Sequence, residues 1–197
     1  MEATTEPVTD SPPYQYGIPK YAGHRMSKAD FLRWESDDNY VYEFNDGVLE
    51  PTTSMKQDEV HLFDAIESRF FQTNAFREGG RLRAEIDVWV NGKQMRRPDA
   101  SYFSNLQLRQ MATGERVVSN FAIEFVSKSD DAQKYIRKLN EYFQAGVQVV
   151  WLVFPNDQIV YVYTSPKTVT ICTDDDVLSA APALPELTMT VAELFRK

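Results

Sequence analysis

The sequence predicts a mixed α/β (α+β) domain in which helices flank a mixed central sheet. Residues 81–90 alternate apolar and polar side chains, and this period of two is typical of a half-buried strand. Residues 147–154 are instead apolar without interruption, which indicates a central strand covered on both faces. A helical pattern over 130–146 lies between them in the chain, so we expect helices on the faces of the sheet.

The composition limits the classes of function. The chain has 197 residues, 43% of them apolar, which fits one domain with a sizeable core. The single cysteine, Cys172, excludes an internal disulfide and a cysteine zinc cluster, and His24 and His61 are the only imidazoles, so structural zinc is not expected. Neither a long apolar run nor a signal-peptide pattern occurs, so we expect a cytoplasmic protein without a membrane segment. The net charge of −8 disfavours nucleic-acid binding over the whole surface but allows a local basic groove.

The N-terminal part is predicted to contain an arm, a short helix and a hairpin. Residues 1–22 hold four prolines and show no periodicity, so we expect an extended arm in front of a single domain over 23–197. A capping-box pattern at Ser27 predicts a short helix to about residue 36. The Asn-Asp-Gly turn at 45–47 joins two short apolar runs and predicts a hairpin.

A longer helix and two strands are predicted next. Ser54 and Gln57 have capping-box spacing, and apolar residues every four positions predict a helix over about 55–74. The alternating strand at 81–90 ends in an Asn-Gly turn, which predicts a return strand, RRPDASYF, at 96–103.

The remaining segments predict a helix packed among further strands. A polar segment at 104–116 leads to VVSNFAIEFV, an apolar run at 117–126 that is broken by Glu124. The helical pattern from 130 stops at Gly146, a residue type favoured at helix C-termini, and the strand at 147–154 follows. Further elements complete the prediction: strands at 159–163 and 169–172 and a capped helix at 190–195.

Two carboxylates interrupt the predicted sheet. Asp99 follows a proline although both residue types are poor strand formers, and Glu124 breaks an apolar strand. They are 25 residues apart, which leaves room for them to meet at the same end of neighbouring strands and to bind Mg²⁺. The alternative is structural: Asp99 caps a turn or pairs with Arg96 or Arg97, and Glu124 pairs with a lysine across the sheet.

Four longer segments carry a family resemblance. They are YEFNDGVLEP at 42–51, RRPDASYF at 96–103, IEFVSKSDD at 123–131 and KLNEYFQAGVQVVWLVFP at 138–155. In this order they resemble the Uma-two family of restriction endonucleases, within the PD-(D/E)XK nuclease superfamily, and the resemblance covers about 28–195. It implies a restriction-endonuclease-like core with the element order αβββαβ, extended by an N-terminal helix and hairpin and by C-terminal strands.

The resemblance also implies roles for individual side chains. Asp99 and Glu124 would be the metal ligands for Mg²⁺, with Mn²⁺ as a substitute. The superfamily places a lysine two residues after the glutamate, but that position is Val126. The family pattern instead offers Lys138 on the following helix, which would stabilise transition-state charge or orient water. Lys128 is the alternative if the strand continues that far.

Further residues are expected around this centre. Glu43 matches an acidic residue of the family's first hairpin, and Glu59 would be a water-mediated ligand, whereas His61 is expected to serve only packing or the surface. A basic group within 17 residues is expected to contact the DNA backbone: Arg81, Arg83, Arg96 and Arg97.

We therefore expect a Mg²⁺-dependent endonuclease that hydrolyses DNA phosphodiesters with a metal-activated water. Cutting two strands calls for two sites, so a homodimer is expected. One alternative is a catalytically silent module of nuclease fold that binds nucleic acid or a protein partner. Another is a structural oligomerisation domain that uses Tyr161, Tyr163 and the N-terminal arm.

Overall fold

The computed structural model describes residues 18–52, 54–128 and 131–196. The helices are α1 (Lys28–Phe31), α2 (Gln57–Phe70), α3 (Asn74–Arg77), α4 (Asn105–Ala112), α5 (Ala132–Ala145) and α6 (Val191–Leu194). The strands are β1 (Val41–Asn45), β2 (Val48–Thr52), β3 (Arg81–Ala84), β4 (Val88–Trp89), β5 (Gln94–Arg96), β6 (Ala100–Phe103), β7 (Phe121–Phe125), β8 (Val149–Phe154), β9 (Ile159–Ser165), β10 (Thr168–Cys172), β11 (Val177–Ala180) and β12 (Leu184–Thr190). No helix in these ranges is long and apolar enough to cross a membrane.

A mixed sheet with the strand order β10-β9-β8-β7-β6-β3 forms the centre of the domain. Strands β7 and β8 run parallel, and the other neighbours are antiparallel. Parallel neighbours need a crossover, and α5 supplies it. Every residue of β7 is buried, as are the first five of β8, because both faces of the sheet are covered. The predicted mixed α+β class with a mixed central sheet is confirmed.

Each face of this sheet has its own hydrophobic core. On one face the sheet packs with α2, α6 and the β11–β12 hairpin, and Ile66, Trp151 and Leu187 are fully buried there. On the other face Val150 and Leu152 pack with the apolar side of α5. Burial on both faces explains why β8 tolerates an uninterrupted apolar sequence.

A smaller antiparallel sheet with the order β2-β1-β5-β4 lies beside the central one. Its core contains Tyr42, Phe44 and Leu49, and α1 contributes Phe31, whose ring centroid is 4.9 Å from that of Phe44. The predicted hairpin is the β1–β2 pair of this sheet. These strands also carry several charged residues of the candidate site.

The alternating segment at 81–90 is not one strand, and this prediction was wrong. Strand β3 pairs with β6 in the central sheet, whereas β4 pairs with β5 in the small sheet. The chain changes sheet near Glu85, whose φ of 51° is unusual for a residue with a side chain. RRPDASYF changes sheet in the same way, since β5 ends at Arg96 and β6 starts at Ala100. Pro98, which has no N–H to donate, lies in this gap.

Several helix boundaries also differ from the prediction. Part of the polar segment at 104–116 is helix α4, whose capping box links Ser104 and Gln107. Its sequence lacks a strong apolar stripe, and accordingly none of its residues is buried. Helix α2 starts later than predicted, where the Glu59 carboxylate accepts a 2.8 Å hydrogen bond from the Lys56 backbone N–H. Helix α1 is a single turn rather than a helix reaching residue 36.

Part of the predicted arm belongs to the folded domain. Residues 1–17 lie outside the described ranges. Within 18–22, the Tyr21 ring is in edge contact with Trp34 at 5.0 Å, and its backbone N–H donates to the Tyr42 hydroxyl at 3.1 Å. The packed region therefore begins before residue 23.

Candidate active site

Strand β7 places Glu124 against helix α5. Successive side chains of a strand point to opposite faces, and Phe121, Ile123 and Phe125 enter the core on the α2 face. Ala122 packs in the core on the α5 face, so Glu124 lies on that side as well. Its side chain is buried in a sheet that is otherwise apolar at this point. A carboxylate in such a position needs polar partners.

Asp99 lies beside Glu124 because of the pairing between β6 and β7. Ala100 is opposite Ile123, and continuing this antiparallel register by one residue sets Asp99 opposite Glu124. The Asp99 carboxylate accepts a 2.6 Å hydrogen bond from the Phe125 backbone N–H through Oδ2. Burial, and then the negative charge of Glu124, raise the pKa of Asp99 well above its usual value. The two carboxylates therefore repel each other in a poorly solvated site.

Helix α5 brings Lys138 to these carboxylates. Tyr135, Lys138, Leu139 and Tyr142 are buried at spacings of three and four, so the lysine belongs to the inward stripe of the helix. Its ammonium nitrogen Nζ is 3.1 and 3.0 Å from the two carboxylate oxygens of Glu124. Nζ also lies 2.9 Å from Oε1 of Glu43 on β1.

Tyr142 completes an outer group, which we define as Asp99, Glu124, Lys138 and Tyr142. The Tyr142 hydroxyl donates a short hydrogen bond to Oε1 of Glu124. Burial and the neighbouring carboxylates raise the pKa of Tyr142, so the hydroxyl is protonated and acts as a donor. Burial lowers the pKa of Lys138, but Glu124 and Glu43 outweigh it and the net shift is upward, so the lysine is charged.

An inner group lies behind the outer one and consists of Arg96, Glu43, Glu50 and Glu141. The Arg96 guanidinium donates to Glu141 at 2.6 Å from Nε and 2.9 Å from Nη2, a two-pronged pair. Its Nη1 donates to Glu43 at 3.1 Å and to Glu50 at 2.5 Å. Glu43 is fully buried, yet Lys138 and Arg96 together hold its pKa below the usual value against the effect of burial.

Together the two groups contain five carboxylates and two cations. The inner group is arranged around one guanidinium, whereas the outer group faces a cleft of about 240 Å³. Asp99, Glu124, Lys138 and Glu59 line this cleft, and further lysines also border it: Lys56 and Lys134. Each inner carboxylate accepts a hydrogen bond from Arg96, whereas Asp99 at the cleft accepts its bond from a backbone N–H rather than from a cation.

The donor set fits Mg²⁺ better than zinc. Within the described ranges, no group of three or more histidine, cysteine, aspartate or glutamate side chains is arranged to hold a metal ion. Mg²⁺ commonly uses one or two carboxylates and keeps most of its water shell. At the open cleft Asp99 and Glu124 would supply two such ligands, and a cation between them would oppose both the burial and the Glu124 charge that raise the pKa of Asp99.

The structure brings most of the predicted residues of the centre together. Lys138 reaches Glu124, whereas Lys128 is exposed and borders a neighbouring groove. Glu59 lines the cleft and also caps α2. Glu43 lies behind Lys138 rather than on the cleft wall and fixes the ammonium group from that side.

The four predicted arginines do not form one patch. Arg96 is 1% exposed and bound by three carboxylates, so it is not available to a DNA phosphate, and this prediction is corrected. The guanidinium of Arg81 donates to the Gly80 carbonyl at 2.7 Å, and that of Arg97 pairs with Asp87 at 2.9 Å. Of these arginines, all of which the structure describes, none lines the cleft.

Residues that sequence reasoning did not assign to the site include Glu141, Glu50, Lys56 and Lys134. Glu141 follows Lys138 by three positions on a helix, so an inward-facing carboxylate beside the lysine was a detectable signal. Glu50 lies opposite Glu43 in the β1–β2 register, a pairing of like charges that requires a shared cation. Lys56 and Lys134 carry no such signal, because their position at the cleft depends on tertiary packing.

The fold and this constellation define a restriction-endonuclease-like domain in which a strand carboxylate, Glu124, and the adjacent Asp99 line one cleft with a helix lysine. The chain belongs to the family described as "Uma2: Putative restriction endonuclease", whose model matches residues 29–192. A crystal structure from Anabaena variabilis, described as a putative nuclease belonging to DUF820, superposes with a TM-score of 0.73 at 18% identity. That match covers 86% of this chain and 97% of the other chain and shows the shared fold. No protein of curated function matches the chain.

Proposed function

We propose that this protein is a metal-dependent endonuclease that hydrolyses phosphodiester bonds of DNA. The observation that carries the proposal is the outer group, in which two adjacent carboxylates, one of them paired with Lys138, line an open cleft. Membership of a family described as restriction endonucleases supports the same class of reaction. Asp99 and Glu124 would hold Mg²⁺ or Mn²⁺.

The bound ion would polarise the phosphodiester and lower the pKa of an attacking water. Side chains would stabilise the developing charge and orient the metal ligand. Lys138 is held on one side by Glu43 and on the other by Glu124, so its ammonium group is fixed at the cleft. There it stabilises negative charge that develops on the phosphoryl oxygens. Tyr142 donates to Glu124 and fixes the orientation of that carboxylate.

The cleft also contains groups for binding the strand on either side of the bond. Lys56 and Lys134 border the cleft together with the outer group, and their ammonium groups attract the flanking phosphates. Two such lysines give a modest salt dependence of binding, which agrees with a chain whose net charge is −8. Cutting both strands calls for two sites, so the proposal includes a homodimer.

The test compares cleavage by the wild type with cleavage by Asp99→Asn. Plasmid, single-stranded DNA and RNA are incubated with Mg²⁺ or Mn²⁺. Asparagine keeps an oxygen that accepts from the Phe125 N–H but removes the charge. Losing a residue that only hydrogen-bonds to a metal ligand typically costs ~10- to 100-fold. Since Asp99 is proposed as a ligand itself, we expect the cleavage rate of Asp99→Asn to fall by more than that. Titration calorimetry should show a parallel loss of Mn²⁺ affinity.

Asp87→Asn is the matched control, since Asp87 is an exposed aspartate paired with Arg97 away from the cleft. It should cleave and bind Mn²⁺ like the wild type. Cleavage that survives Asp99→Asn would refute the site. Absence of cleavage on every substrate, with binding that does not depend on metal, would instead support a silent binding module. Light scattering of the same samples measures whether the protein is a homodimer.

A further inference from the structure

A second concavity adjoins the cleft and is mainly apolar, whereas the cleft is mainly polar. It is an apolar groove of about 390 Å³ between α5 and the end of the central sheet. Phe154, Tyr161 and Tyr163 form its floor and are each only half-buried. Ile136 on α5 forms part of the wall and is 59% exposed. A groove of this volume is within the range of pockets that bind small ligands.

The aromatic floor results from the pairing of β9 with β8. Tyr161 and Tyr163 pair with Leu152 and Val150 of β8, so all four side chains lie on the α5 face. Helix α5 covers the β8 residues but leaves the tyrosines partly open. The rings of Phe154 and Tyr161 are in contact, with centroids 4.8 Å apart. The result is an apolar platform of aromatic rings that solvent reaches.

The groove and the cleft share a wall. Ser127 and Tyr135 line both of them. The Tyr135 hydroxyl is 3.5 Å from the Phe125 carbonyl, next to Glu124, and the Lys138 Nζ lies 6.0 Å from the centroid of the Tyr135 ring. A ligand in the groove would therefore be separated from the outer group by a single tyrosine side chain.

We propose that this groove binds one unstacked nucleobase of the substrate strand, next to the phosphodiester that is cut. This inference rests on the proposed nuclease function and adds a substrate class to it: DNA that is single-stranded or locally unpaired at the cut. Aromatic faces bind bases of any sequence by stacking. A base in intact duplex is stacked on its neighbours and enters such a pocket only after leaving the stack.

The charges around the groove agree with a nucleotide rather than with an apolar partner. Lys128 borders the groove, and Lys134 borders the cleft beside it, so cations lie where the strand's phosphates would pass between the two. Asn156 and Asp157 also line the groove and offer hydrogen-bonding groups to a base edge. An acidic centre, bordering lysines and an aromatic floor thus adjoin one another, as the metal, phosphate and base of one bound nucleotide would.

The test measures binding of a fluorescent oligothymidylate and of an abasic strand of the same length. The full chain carries Asp99→Asn so that neither strand is consumed. We expect the base-containing strand to bind about tenfold more tightly, since stacking of one base is worth about 1–3 kcal/mol and 1.4 kcal/mol is tenfold. Tyr161→Leu should remove this preference. Ile136→Glu alters only an exposed wall position and should also remove it, which guards against a folding defect in the tyrosine variant.

Phe71→Leu is the control, because Phe71 is an aromatic residue 47% exposed outside the groove. The Phe71→Leu variant should prefer the base-containing strand as strongly as the protein without this substitution does. Equal affinity for both strands, or no binding of either, would overturn the inference. A change of oligomeric state in Tyr161→Leu and Ile136→Glu without a change in strand preference would also overturn it and would assign the groove to a contact between copies.

This result can be separated from the test of the nuclease function. Metal-dependent cleavage that needs Asp99, combined with no base preference, keeps the nuclease and removes the base pocket. A base preference that needs Tyr161, combined with no cleavage of any substrate, keeps the pocket and removes the nuclease.

Discussion

The inner and outer groups lie against the same helix, yet they differ in how their charges are balanced. In the inner group one guanidinium donates to three carboxylates from β1, β2 and α5. In the outer group two carboxylates lie side by side and only one of them is in contact with Lys138, while the pKa of Asp99 is raised. The inner group joins the small sheet to α5, and the outer group faces the cleft.

This difference indicates that one part of a buried ionic network can stabilise the fold while another part is suited to binding a cation. The Arg96 guanidinium donates to three carboxylates and does not line the cleft, so a ligand in the cleft does not reach it. A pair of like charges at an open cleft is unfavourable by itself and is stabilised by an added cation. The inner group therefore stabilises the fold, and the difference supports the catalytic role proposed for the outer group.

The largest effect is expected from Arg96→Met, which removes the centre of the inner group. Breaking one buried ion pair costs about 3–5 kcal/mol, and here three carboxylates each lose the Arg96 guanidinium, so the free energy of unfolding should fall by about that amount or more. Urea denaturation measures the change. Arg97→Met is the adjacent control, because Arg97 is 26% exposed and pairs with an exposed aspartate, a kind of pair worth about 0–1 kcal/mol. Similar losses in the two variants would contradict the structural role of Arg96.

A smaller effect, on activity rather than stability, is expected from Tyr142→Phe in the outer group. The substitution removes the hydroxyl that donates to Glu124 but keeps the ring in its apolar core. Residues that orient a metal ligand typically contribute ~10- to 100-fold to activity or metal affinity, and we expect a loss of this size in the cleavage rate. The free energy of unfolding should fall by only about 1 kcal/mol.

Tyr42→Phe is the matched control for this variant. Tyr42 is a buried tyrosine of the small sheet whose hydroxyl donates to Asp38 at 2.5 Å. Loss of this hydroxyl should lower the free energy of unfolding by a comparable amount and leave the cleavage rate unchanged. A rate that falls equally in both variants would mean that Tyr142 acts only through the fold.

Three residues of the outer group could be predicted from the sequence because each breaks a local pattern. Glu124 interrupts an apolar strand, and Asp99 follows a proline at a strand start. Lys138 lies on the apolar stripe of a helix, and the family resemblance implies that it is the lysine of the centre. Burying a charge at such a position costs free energy unless the charge is paired or binds a ligand. A charged residue in an apolar pattern can therefore be recognised from the sequence alone.

The inner group and the sheet change near Glu85 were not predictable in the same way. Arg96 and Arg97 are adjacent and chemically identical, and only the pairing of β5 with β1 decides which one is buried. The alternation of 81–90 continues across the break between β3 and β4, so periodicity alone cannot detect it. Both features depend on contacts between residues far apart in the chain.

The smallest effect is expected from Glu50→Gln, at the exposed edge of the inner group. Burial raises the pKa of Glu50, but its bonds to Asn45 and Arg96 outweigh this and lower it. A lowered carboxyl pKa means that the charged form stabilises the fold above the unfolded pKa of about 4.3, and that this contribution is lost as pH falls through the folded pKa. Since the side chain is 23% exposed, the loss at neutral pH should be about 1 kcal/mol or less.

The pH dependence separates this role from simple packing. The difference in free energy of unfolding between wild type and Glu50→Gln should be constant from neutral pH to about pH 5 and should shrink below it, because the wild-type carboxyl then becomes neutral as well. Glu35→Gln, at an exposed glutamate of the same domain, should show no such difference. A difference for Glu50→Gln that stays constant into the acid range would show that the glutamine fails to pack, and that Arg96 is held by Glu43 and Glu141 without a contribution from the charge of Glu50.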